Sequence, residues 1–409
     1  METEVLANKK IKTISLIVFI GIFVGLLRAY FGSYLSHDKY PFNTFLFDPA
    51  DRFNDLFNMI KICSQNSPYI TSFSFPSNYF PVANTIFHIF SLLSNKVILL
   101  SVFLGIFIVT YGKLIINIFK ASIHSNLLNL IIIFFFSYPI FFNVDRLNIE
   151  IYNFLFCLLW LYFNNKGKTW LSIIFLSLSI SLKLYTGVFV ILYLKDKKYK
   201  ETAIICLIVG IASLLSLITF KGGVGNNIQA MLIALKNFTI AYSGTTGLHY
   251  NLSLLGLIKV LYNILIILLH KSKDSANSIN NILPIYTVMA FIMFLAVIFI
   301  IFKRNLPKWM NLFLLTAVLI LFPNVSFDYK LIFIYLPLIY YLKEKNKNTY
   351  DNVYNIGFAC LLIPHNYIVL YKDISIAVVI YPLIILAMSF LIIFRSKFNA
   401  ANQHSNSII

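Results

Sequence analysis

Long apolar stretches alternate with short polar connections along nearly the whole chain. An α-helix needs about 20 apolar residues to cross a bilayer, with a range of about 17 to 25. By this measure the pattern predicts spans, several of them short, at residues 14–31, 97–119, 126–142, 149–163, 169–182, 184–194, 201–219, 281–302, 309–323, 330–342, 353–370 and 374–394. We therefore expect an all-α polytopic membrane protein, a single integral membrane domain over residues 1–409 with about 12 transmembrane helices and extracytoplasmic surface helices.

Three segments do not fit a simple series of spans. Residues 169–195 are too long for one span and too short for two, so we expect two short helices that break at residues 183–187. Residues 253–269 are apolar enough to span, but counting them would place every later basic loop outside. We therefore expect residues 253–269, and also residues 79–94, to form helices on the outer surface of the membrane.

Charged residues support this arrangement. The 409 residues are 59% hydrophobic and 12% charged, far below the roughly one quarter charged that is typical of soluble domains. Basic residues collect in alternate connections, most clearly in KDKKYK, KRNLPK and KEKNK, which favours a cytoplasmic position for these loops and for both termini. The opposite side then receives a first loop over residues 32–96 and a second large loop over residues 220–280.

The strong excess of positive charge changes the expected partners very little. Lys and Arg number 33 against 15 Asp and Glu, which in a soluble protein would suggest nucleic acid. In a membrane protein, basic cytoplasmic flanks are the commoner cause. No surface with interleaved aromatic and basic residues is present, so we expect the lipid bilayer as a partner and no nucleic acid.

The first outer loop contains an acidic and aromatic cluster, FLFDPADRFNDLFN, over residues 45–58. Asp48, Asp51 and Asp55 lie within a few residues of one another and are flanked by phenylalanines. Carboxylates held among aromatic side chains at a membrane surface cost desolvation energy unless they are used. The structural alternative is a solvated loop with phenylalanines in the interface.

Other unusual polar residues fall on the same predicted side. They are Asp145 and Arg146 with Asn148 and Glu150, Lys183 with Tyr185, His249 with Asn251 and Ser253, and Ser326 with Asp328 and Tyr329. Each has a structural alternative, such as a local ion pair, a lysine that reaches the interface or a solvated histidine. Together they suit a phosphate-bearing lipid, because cations hold the phosphate and a carboxylate can deprotonate an acceptor hydroxyl.

The sequence contains no pattern typical of a disulfide framework, a metal site or a nucleotide-binding site. The four cysteines form no close pair, which disfavours a disulfide framework and a thiolate metal site. Metal-ligand spacings are absent from the sequence, so we expect no metal and no other cofactor, and a divalent cation at Asp48 and Asp51 has no further support. The sequence also lacks a phosphate-binding glycine-rich loop, a dinucleotide fingerprint and a serine nucleophile elbow, which disfavours a soluble nucleotide-sugar donor.

Several short motifs occur in an order that resembles a known family. They are Asp51-Arg52-Phe53-Asn54-Asp55, Ser67-Pro68-Tyr69, Asn78-Tyr79-Phe80-Pro81, Ser137-Tyr138-Pro139, Asp145-Arg146-Leu147-Asn148, LSLSISLKLYTG at 176–187, HYNLSLLG at 249–256 and FPNVSFDY at 322–329. The series, over roughly residues 10–345, resembles glycosyltransferase family 87 of the GT-C superfamily. It departs from the family at residues 145–146, where Gly-Gln is frequent, and at residues 328–329, where a His is common.

The resemblance implies a membrane glycosyltransferase. It would move a hexose or pentose, mannose first among them, from a polyprenyl-phosphate donor to a cell-envelope glycolipid or polysaccharide acceptor, with inversion. It also implies a multi-pass protein of the bacterial inner membrane with its active site on the extracytoplasmic face. The two departures bear on the sugar that is transferred more than on the reaction.

The resemblance also implies roles for individual residues. Members of the superfamily carry an essential acidic residue in the first extracytoplasmic loop, and Asp55 best matches its position, with Asp51 second. The residues expected to bind substrate are Lys183, Arg146, Asp145, Tyr185, His249, Asn251, Ser326, Asp328 and Tyr329. Among them Lys183 and Arg146 are the expected partners of the donor phosphate.

Two other functions fit a polytopic protein. A flippase of lipid-linked oligosaccharides or another transporter predicts charged or broken segments at mid-membrane, whereas the charges here lie at span ends apart from Lys183. An O-antigen polymerase or ligase usually has a large periplasmic loop late in the chain with arginine-rich motifs. The outer loops of this chain are early and central and contain little Arg.

Overall fold

The computed structural model describes residues 2–71, 75–243, 248–268, 282–344, 346, 348–371 and 374–405. Within these ranges α-helices dominate. They are α1 (Glu2–Tyr30), α2 (Asn54–Cys63), α3 (Pro81–Ser91), α4 (Lys96–Ile118), α5 (Ile123–Phe135), α6 (Tyr138–Arg146), α7 (Glu150–Asn165), α8 (Thr169–Leu182), α9 (Val190–Lys195), α10 (Tyr199–Thr219), α11 (Val224–Ser243), α12 (Leu254–Leu268), α13 (Ile282–Lys303), α14 (Lys308–Leu321), α15 (Tyr335–Leu342), α16 (Asp351–Leu362) and α17 (Ala377–Ser405). A short antiparallel hairpin pairs β1 (Val369–Tyr371) with β2 (Ile374–Ser375).

Shorter helical turns connect several of these elements. A π-helical turn (Phe31–Leu35) continues α1. The 3-10 turns are Pro49–Asp51, Leu184–Phe189, Leu248–Tyr250 and Asp328–Ile334. All four contain or adjoin residues that the sequence singles out for chemistry.

The chain divides into two compact units. We call residues 46–124 and 140–241 the first-loop unit, because it begins with the acidic loop. We call residues 1–45, 125–139 and 242–409 the terminal unit, because it contains both termini. The motifs of the sequence are shared between the units, so each unit is described separately.

The first-loop unit is built around α7 and α8, which pack along each other. Helix α10 packs on α8 and α3, α2 packs on α3, and α4 packs on α7. Local sequence explains two of the helix starts: Pro81 is the first residue of α3, and the Asn95 side chain accepts hydrogen bonds from the first backbone N–H groups of α4. Helix α7 is buried over its first three turns, so the polar residues Glu150 and Asn153 lie inside the unit.

The terminal unit has α14 at its centre. Every residue from Trp309 to Leu321 is buried, and α14 packs on α15 and α17. Helix α1 packs on α16, and the buried Lys10 at its start lies 3.3 Å from Asp351 at the start of α16. A buried cation with a carboxylate partner explains how a lysine is tolerated at a position that is only 1% exposed.

Five helices among the described residues are long and apolar enough to cross a membrane. They are Val5–Leu35, Lys96–Ile118, Tyr199–Thr219, Leu283–Lys303 and Ala377–Phe394, with α5 and α6 as a sixth if that broken pair is one span. Much of their apolar surface is uncovered; on α13, Ile285 is 70% exposed and Phe299 is 62% exposed. Apolar patches of this size need lipid or a partner to cover them, so a polytopic membrane protein fits the structure. Other apolar helices are shorter, at 10–17 residues.

Several sequence predictions of element type are confirmed. The break in residues 169–195 is present, because α8 ends at Leu182 and a 3-10 turn starts at Leu184. Residues 81–91 and 254–268 form helices in the two segments that were expected to lie on the outer surface. Their position relative to a membrane stays a prediction.

Other predicted boundaries are wrong. Residues 353–370 do not form one helix: α16 ends at Leu362, because Ile363 precedes Pro364 and takes the extended backbone that a following proline favours. The predicted span 126–142 is split between α5 and α6, and 330–342 begins as a 3-10 turn. Residues 374–394 begin with a strand, and the second loop contains the 20-residue helix α11, which the sequence pattern did not predict. The end of that loop, residues 269–280, lies outside the described residues.

Candidate functional site

The acidic loop of the first-loop unit is folded by its own side chains. Asp48 caps the 3-10 turn that follows it, since its carboxylate accepts a hydrogen bond from the backbone N–H of Ala50 at 2.9 Å. Phe53 then takes a left-handed backbone conformation with φ of 63°, which turns the chain into α2. This places Asp51 at the end of the turn and Asp55 in the first turn of α2.

Arg146 joins the two candidate bases. Its Nη1 donates to Asp51 Oδ2 at 2.7 Å and to the Asp51 carbonyl at 2.8 Å, while its Nη2 donates to Asp55 Oδ1. The guanidinium also lies over the ring of Phe47, with 4.1 Å between Cζ and the ring centroid. The Arg146 side chain is only 8% exposed, whereas Asp51 and Asp55 are 35% and 22% exposed. The arginine is therefore committed to holding the carboxylates, which remain open to solvent.

Asn148 supplies a second contact to Asp55. Leu147 has a positive φ of 50°, and this turn between α6 and α7 lets residues 146 and 148 both face the acidic loop. Asn148 Nδ2 donates to Asp55 Oδ2 at 2.8 Å and to the Tyr79 hydroxyl at 3.0 Å. Both carboxylate oxygens of Asp55 are thus oriented, and each keeps a lone pair for a further donor.

Tyr79 connects this carboxylate to Lys183. The Lys183 ammonium lies 3.8 Å from the centroid of the Tyr79 ring, a cation–π contact. The same tyrosine is anchored through its backbone carbonyl, which accepts a hydrogen bond from the Tyr69 hydroxyl at 2.8 Å. Burial raises the pKa of the Tyr79 phenol well above its usual value, so the ring stays neutral.

A buried carboxylate lies on the other side of Lys183. Glu150 is fully buried, and its Oε1 is 3.6 Å from the lysine Nζ. Its Oε2 accepts a hydrogen bond from Asn153 at 3.1 Å, and Asn153 also donates to the Tyr185 hydroxyl at 3.4 Å. One connected chain of polar contacts therefore runs through the site. Its members are Asp55, Asn148, Tyr79, Lys183, Glu150, Asn153 and Tyr185.

Asp145 closes the site on the side of the loop. Arg52 Nε donates to its carboxylate at 3.1 Å, and the backbone N–H of Phe53 donates to its carbonyl at 2.8 Å. Asp145 is 3% exposed, while Arg52 is 53% exposed. The contact fixes the loop on the end of α6, so Asp145 has a clear structural role here.

The predicted residues of the terminal unit meet their own neighbours. Asn251 Oδ1 accepts from the backbone N–H groups of Ser253 at 3.1 Å and Ser326 at 2.9 Å, and its Nδ2 donates to the Asn324 carbonyl at 3.0 Å. Ser253 caps α12 by accepting from the N–H of Gly256 at 3.0 Å, and a Cβ at Gly256 would collide with the Asn251 carbonyl. These contacts explain the Asn-x-Ser-x-x-Gly pattern as the start of a helix.

Asp328 forms a separate buried cluster in the terminal unit. Its Oδ2 accepts hydrogen bonds from the Tyr138 hydroxyl at 2.5 Å and from Asn366 Nδ2 at 2.8 Å. In the sequence, Asp328 lies between the predicted spans 309–323 and 330–342. Its side chain is fully buried, and burial raises the pKa of the carboxyl from 3.8 to about 6. Tyr329 and His249 are half-buried, and the Tyr329 ring contacts Phe327.

The buried Asp328 predicts a pH dependence of stability. Because its folded-state pKa is raised, the native protein binds more protons than the unfolded chain between pH 4 and 6, and stability falls as pH rises through this window. Thermal unfolding of the detergent-solubilised protein should show the parent losing up to about 3 kcal/mol relative to Asp328→Asn between pH 4 and pH 7. The exposed Asp196 provides the control variant, Asp196→Asn. A stability difference that does not change with pH would contradict the expectation.

The structure brings six of the predicted site residues into one network of the first-loop unit: Asp51, Asp55, Asp145, Arg146, Lys183 and Tyr185. The sequence did not assign roles to Tyr79, Glu150 or Asn153, although Tyr79 and Asn148 lie in motifs that carry the resemblance. No sequence signal indicated Asn366. Among the described residues, no group of three or more His, Cys, Asp and Glu could hold a metal ion.

Comparison with known protein families gives a match that covers most of the site. A sequence model of glycosyltransferase family 87 matches residues 78–325, more than half of the chain. The matched range contains Tyr79, Arg146, Asn148, Glu150 and Lys183, while the acidic loop lies just before it. No curated protein and no solved structure matches the chain.

Proposed function

Since this chain belongs to glycosyltransferase family 87 and is a membrane glycosyltransferase, we propose that it transfers a hexose or pentose from a polyprenyl-phosphate donor. Mannose is the first sugar to test, and the acceptor is a cell-envelope glycolipid or polysaccharide. Family membership also favours a transferase over the flippase and transporter alternatives. The observation that carries the proposal is the connected network in which Asn148 and Tyr79 link the partly exposed, oriented carboxylate of Asp55 to the Lys183 ammonium.

Asp55 is the proposed general base. Arg146 and Asn148 fix both of its oxygens, and its side chain is 22% exposed, so an acceptor hydroxyl can reach a remaining lone pair. Asp51 is the second candidate; it is more exposed but makes no contact with Asn148 among its described hydrogen bonds. Asp48 is less suitable because its carboxylate caps the following turn.

The proposed reaction is a single displacement. The acceptor oxygen attacks the anomeric carbon while the bond from that carbon to the phosphate oxygen breaks, and the electron pair leaves with the phosphate. The hydroxyl proton passes to Asp55. One base and a phosphate leaving group suffice, without a carboxylate nucleophile, so the configuration at the anomeric carbon is inverted.

Lys183 is the proposed partner of the donor phosphate. Its contacts to Tyr79 and Glu150 are a ring face and a carboxylate oxygen at 3.6 Å, which is long for a hydrogen bond. Its N–H groups can therefore turn to a phosphate oxygen. Arg146 has its guanidinium occupied by Asp51 and Asp55, so we assign it the role of holding these carboxylates.

The remaining predicted residues are not assigned a catalytic role in the proposal. Asp145 and Tyr185 support the network at its two ends. Substrate-binding roles for the residues of the terminal unit stay predictions from the resemblance; they are His249, Asn251, Ser326, Asp328 and Tyr329.

We also propose a location and a topology. Basic loops at 195–200, 303–308 and 343–347 support both termini in the cytoplasm, about 12 spans and an extracytoplasmic acidic loop. With this orientation the enzyme would act on the outer face of a bacterial inner membrane. Such a site has no access to cytoplasmic nucleotide sugars, which supports a lipid-linked donor.

The donor class gives the direct test of the function. Purified protein in lipid nanodiscs should transfer radiolabelled sugar from a synthetic polyprenyl-phosphate sugar to envelope glycolipid extracts, and should give no product with the matching nucleotide sugar alone. The Asp55→Asn variant serves as the matched blank. Turnover with a nucleotide sugar in the absence of any polyprenyl phosphate would refute the proposed donor.

A further inference from the structure

Lys183 lies at a break in the backbone. It is the residue after α8 and has extended dihedral angles, φ of −147° and ψ of 111°. Its own N–H still donates to the Ser179 carbonyl at 3.1 Å, and its carbonyl accepts from the Thr186 N–H at 3.2 Å. The backbone is therefore fixed on both sides, and the direction of the side chain depends on what surrounds it.

The surroundings of Lys183 come from three elements. Helix α7 provides the buried Glu150 carboxylate, the segment before α3 provides the Tyr79 ring, and α2 provides the negative charge of Asp55. Arg146 is the nearby cation in the network, and its charge is balanced by Asp51 and Asp55. Glu150 is thus the closest opposite charge to Lys183.

Glu150 is held more firmly than Lys183. Its Oε2 accepts from Asn153, whose Oδ1 accepts from the Ser179 hydroxyl at 2.6 Å. Its Oε1 has no hydrogen-bond partner among the described residues, although Glu150 is fully buried. A buried carboxylate oxygen without a hydrogen bond is costly, and the Lys183 ammonium 3.6 Å away is the charge that offsets this cost.

We propose that Glu150 is a positioning residue, which keeps Lys183 charged and aimed until the donor phosphate becomes its partner. This inference rests on the proposed function, because it assumes that Lys183 receives the phosphate. Glu150 itself touches neither donor nor acceptor. It acts through the lysine, by balancing its charge and fixing its place over the Tyr79 ring.

The reaction explains the need for such a residue. A sugar phosphodiester carries one negative charge, and the released polyprenyl monophosphate carries up to two, so negative charge grows on the phosphate as the bond breaks. An ammonium group stabilises this charge only while it is protonated. Burial lowers the pKa of Lys183, and the carboxylates of Glu150 and Asp55, with Glu150 the larger influence, offset part of that lowering.

Titration of Lys183 tests the inference without any need for catalysis. The rate at which a small acylating reagent modifies Lys183 follows its neutral amine and can be measured across pH by peptide mass spectrometry. Glu150→Gln should shift this titration to lower pH by about 1 to 3 units, the usual effect of losing an opposite charge at this distance. Glu150→Asp keeps the charge and should shift it much less.

The controls separate this inference from the proposed function. Glu201→Gln removes a carboxylate at the start of α10 in the same unit and should leave the Lys183 titration unchanged. An unchanged titration in well-folded Glu150→Gln would overturn the inference, whatever the enzyme transfers. A shifted titration in a protein that does not use polyprenyl-phosphate sugars would instead refute the function and leave the Glu150–Lys183 coupling in place.

Kinetics give a second measurement. In Glu150→Gln the alkaline limb of kcat/KM for the donor should move to lower pH by the same amount as the amine titration. Adding Lys183→Arg should abolish that movement, because a guanidinium does not lose its proton in this range. Movement that persists in the double variant would show that the limb belongs to another group and would overturn the inference.

Discussion

Asp55→Asn is expected to lower kcat by about 10²- to 10⁴-fold, the usual contribution of a general base. The substitution keeps the size of the side chain and removes its basicity. An asparagine can still accept one of the hydrogen bonds from Arg146 and Asn148, while the other donor loses its acceptor, which costs about 1–3 kcal/mol of stability. The measurement is single-turnover transfer from the polyprenyl-phosphate donor, with thermal unfolding monitored in parallel.

The acidic loop provides its own controls for this experiment. Asp48→Asn removes a carboxylate whose structural contact is the Ala50 N–H, so activity should change much less. Asp51→Asn tests the second candidate, which shares Arg146 with Asp55. If Asp55→Asn were fully active and Asp51→Asn inactive, the base would be Asp51. Full activity in both variants would remove the chemical basis for a base in this loop.

Lys183→Ala is expected to lower kcat/KM for the donor by about 10²- to 10³-fold, comparable to the loss of a group that stabilises charge in the transition state. Unlike Asp55→Asn, it should act through the donor and leave the dependence on acceptor concentration unchanged. Steady-state kinetics with each substrate varied in turn distinguish the two effects. Lys183→Arg keeps the charge and should retain more of the activity.

The design must separate loss of a phosphate contact from loss of folding. Lys183→Ala leaves Glu150 as a buried carboxylate with no cation beside it, which is itself destabilising. The double variant Lys183→Ala with Glu150→Gln removes this charge and should be as weak toward the donor as Lys183→Ala. Lys221→Ala, at an exposed position of the same unit, controls for charge alone. Normal donor kinetics in a folded Lys183→Ala protein would exclude the lysine as the phosphate partner.

The sequence alone identified the charged residues of the site, but not the contacts between them. The sequence pointed to Asp51 and Asp55, to Arg146 and to Lys183, because charged side chains are rare and costly in so apolar a chain. It paired none of them. Its assignment of Arg146 as a phosphate partner stays a prediction; the side chain is 8% exposed and bridges two carboxylates. The pairing of Arg146 with Asp51 and Asp55 joins residues more than ninety positions apart, which no local pattern contains.

The roles of Tyr79 and Asn366 were missed for the same reason. Tyr79 is one aromatic side chain among many, and only its contacts to Asn148 and Lys183 make it a connection. Asn366 lies outside every motif, yet it donates to the buried Asp328. Their chemistry comes from their neighbours, and these are set by the fold.

The sequence by itself determined the class of this protein, the family resemblance and the helical character of most segments. Apolar length and charge composition suffice for this, because a bilayer requires long helices that satisfy their own backbone hydrogen bonds. The helix α11 and the division into two compact units were decided only by the tertiary structure. The network from Asp55 through Tyr79 to Glu150 was also decided only by the tertiary structure. Burial and the choice of partner depend on packing, and packing brings together residues that lie far apart in the sequence.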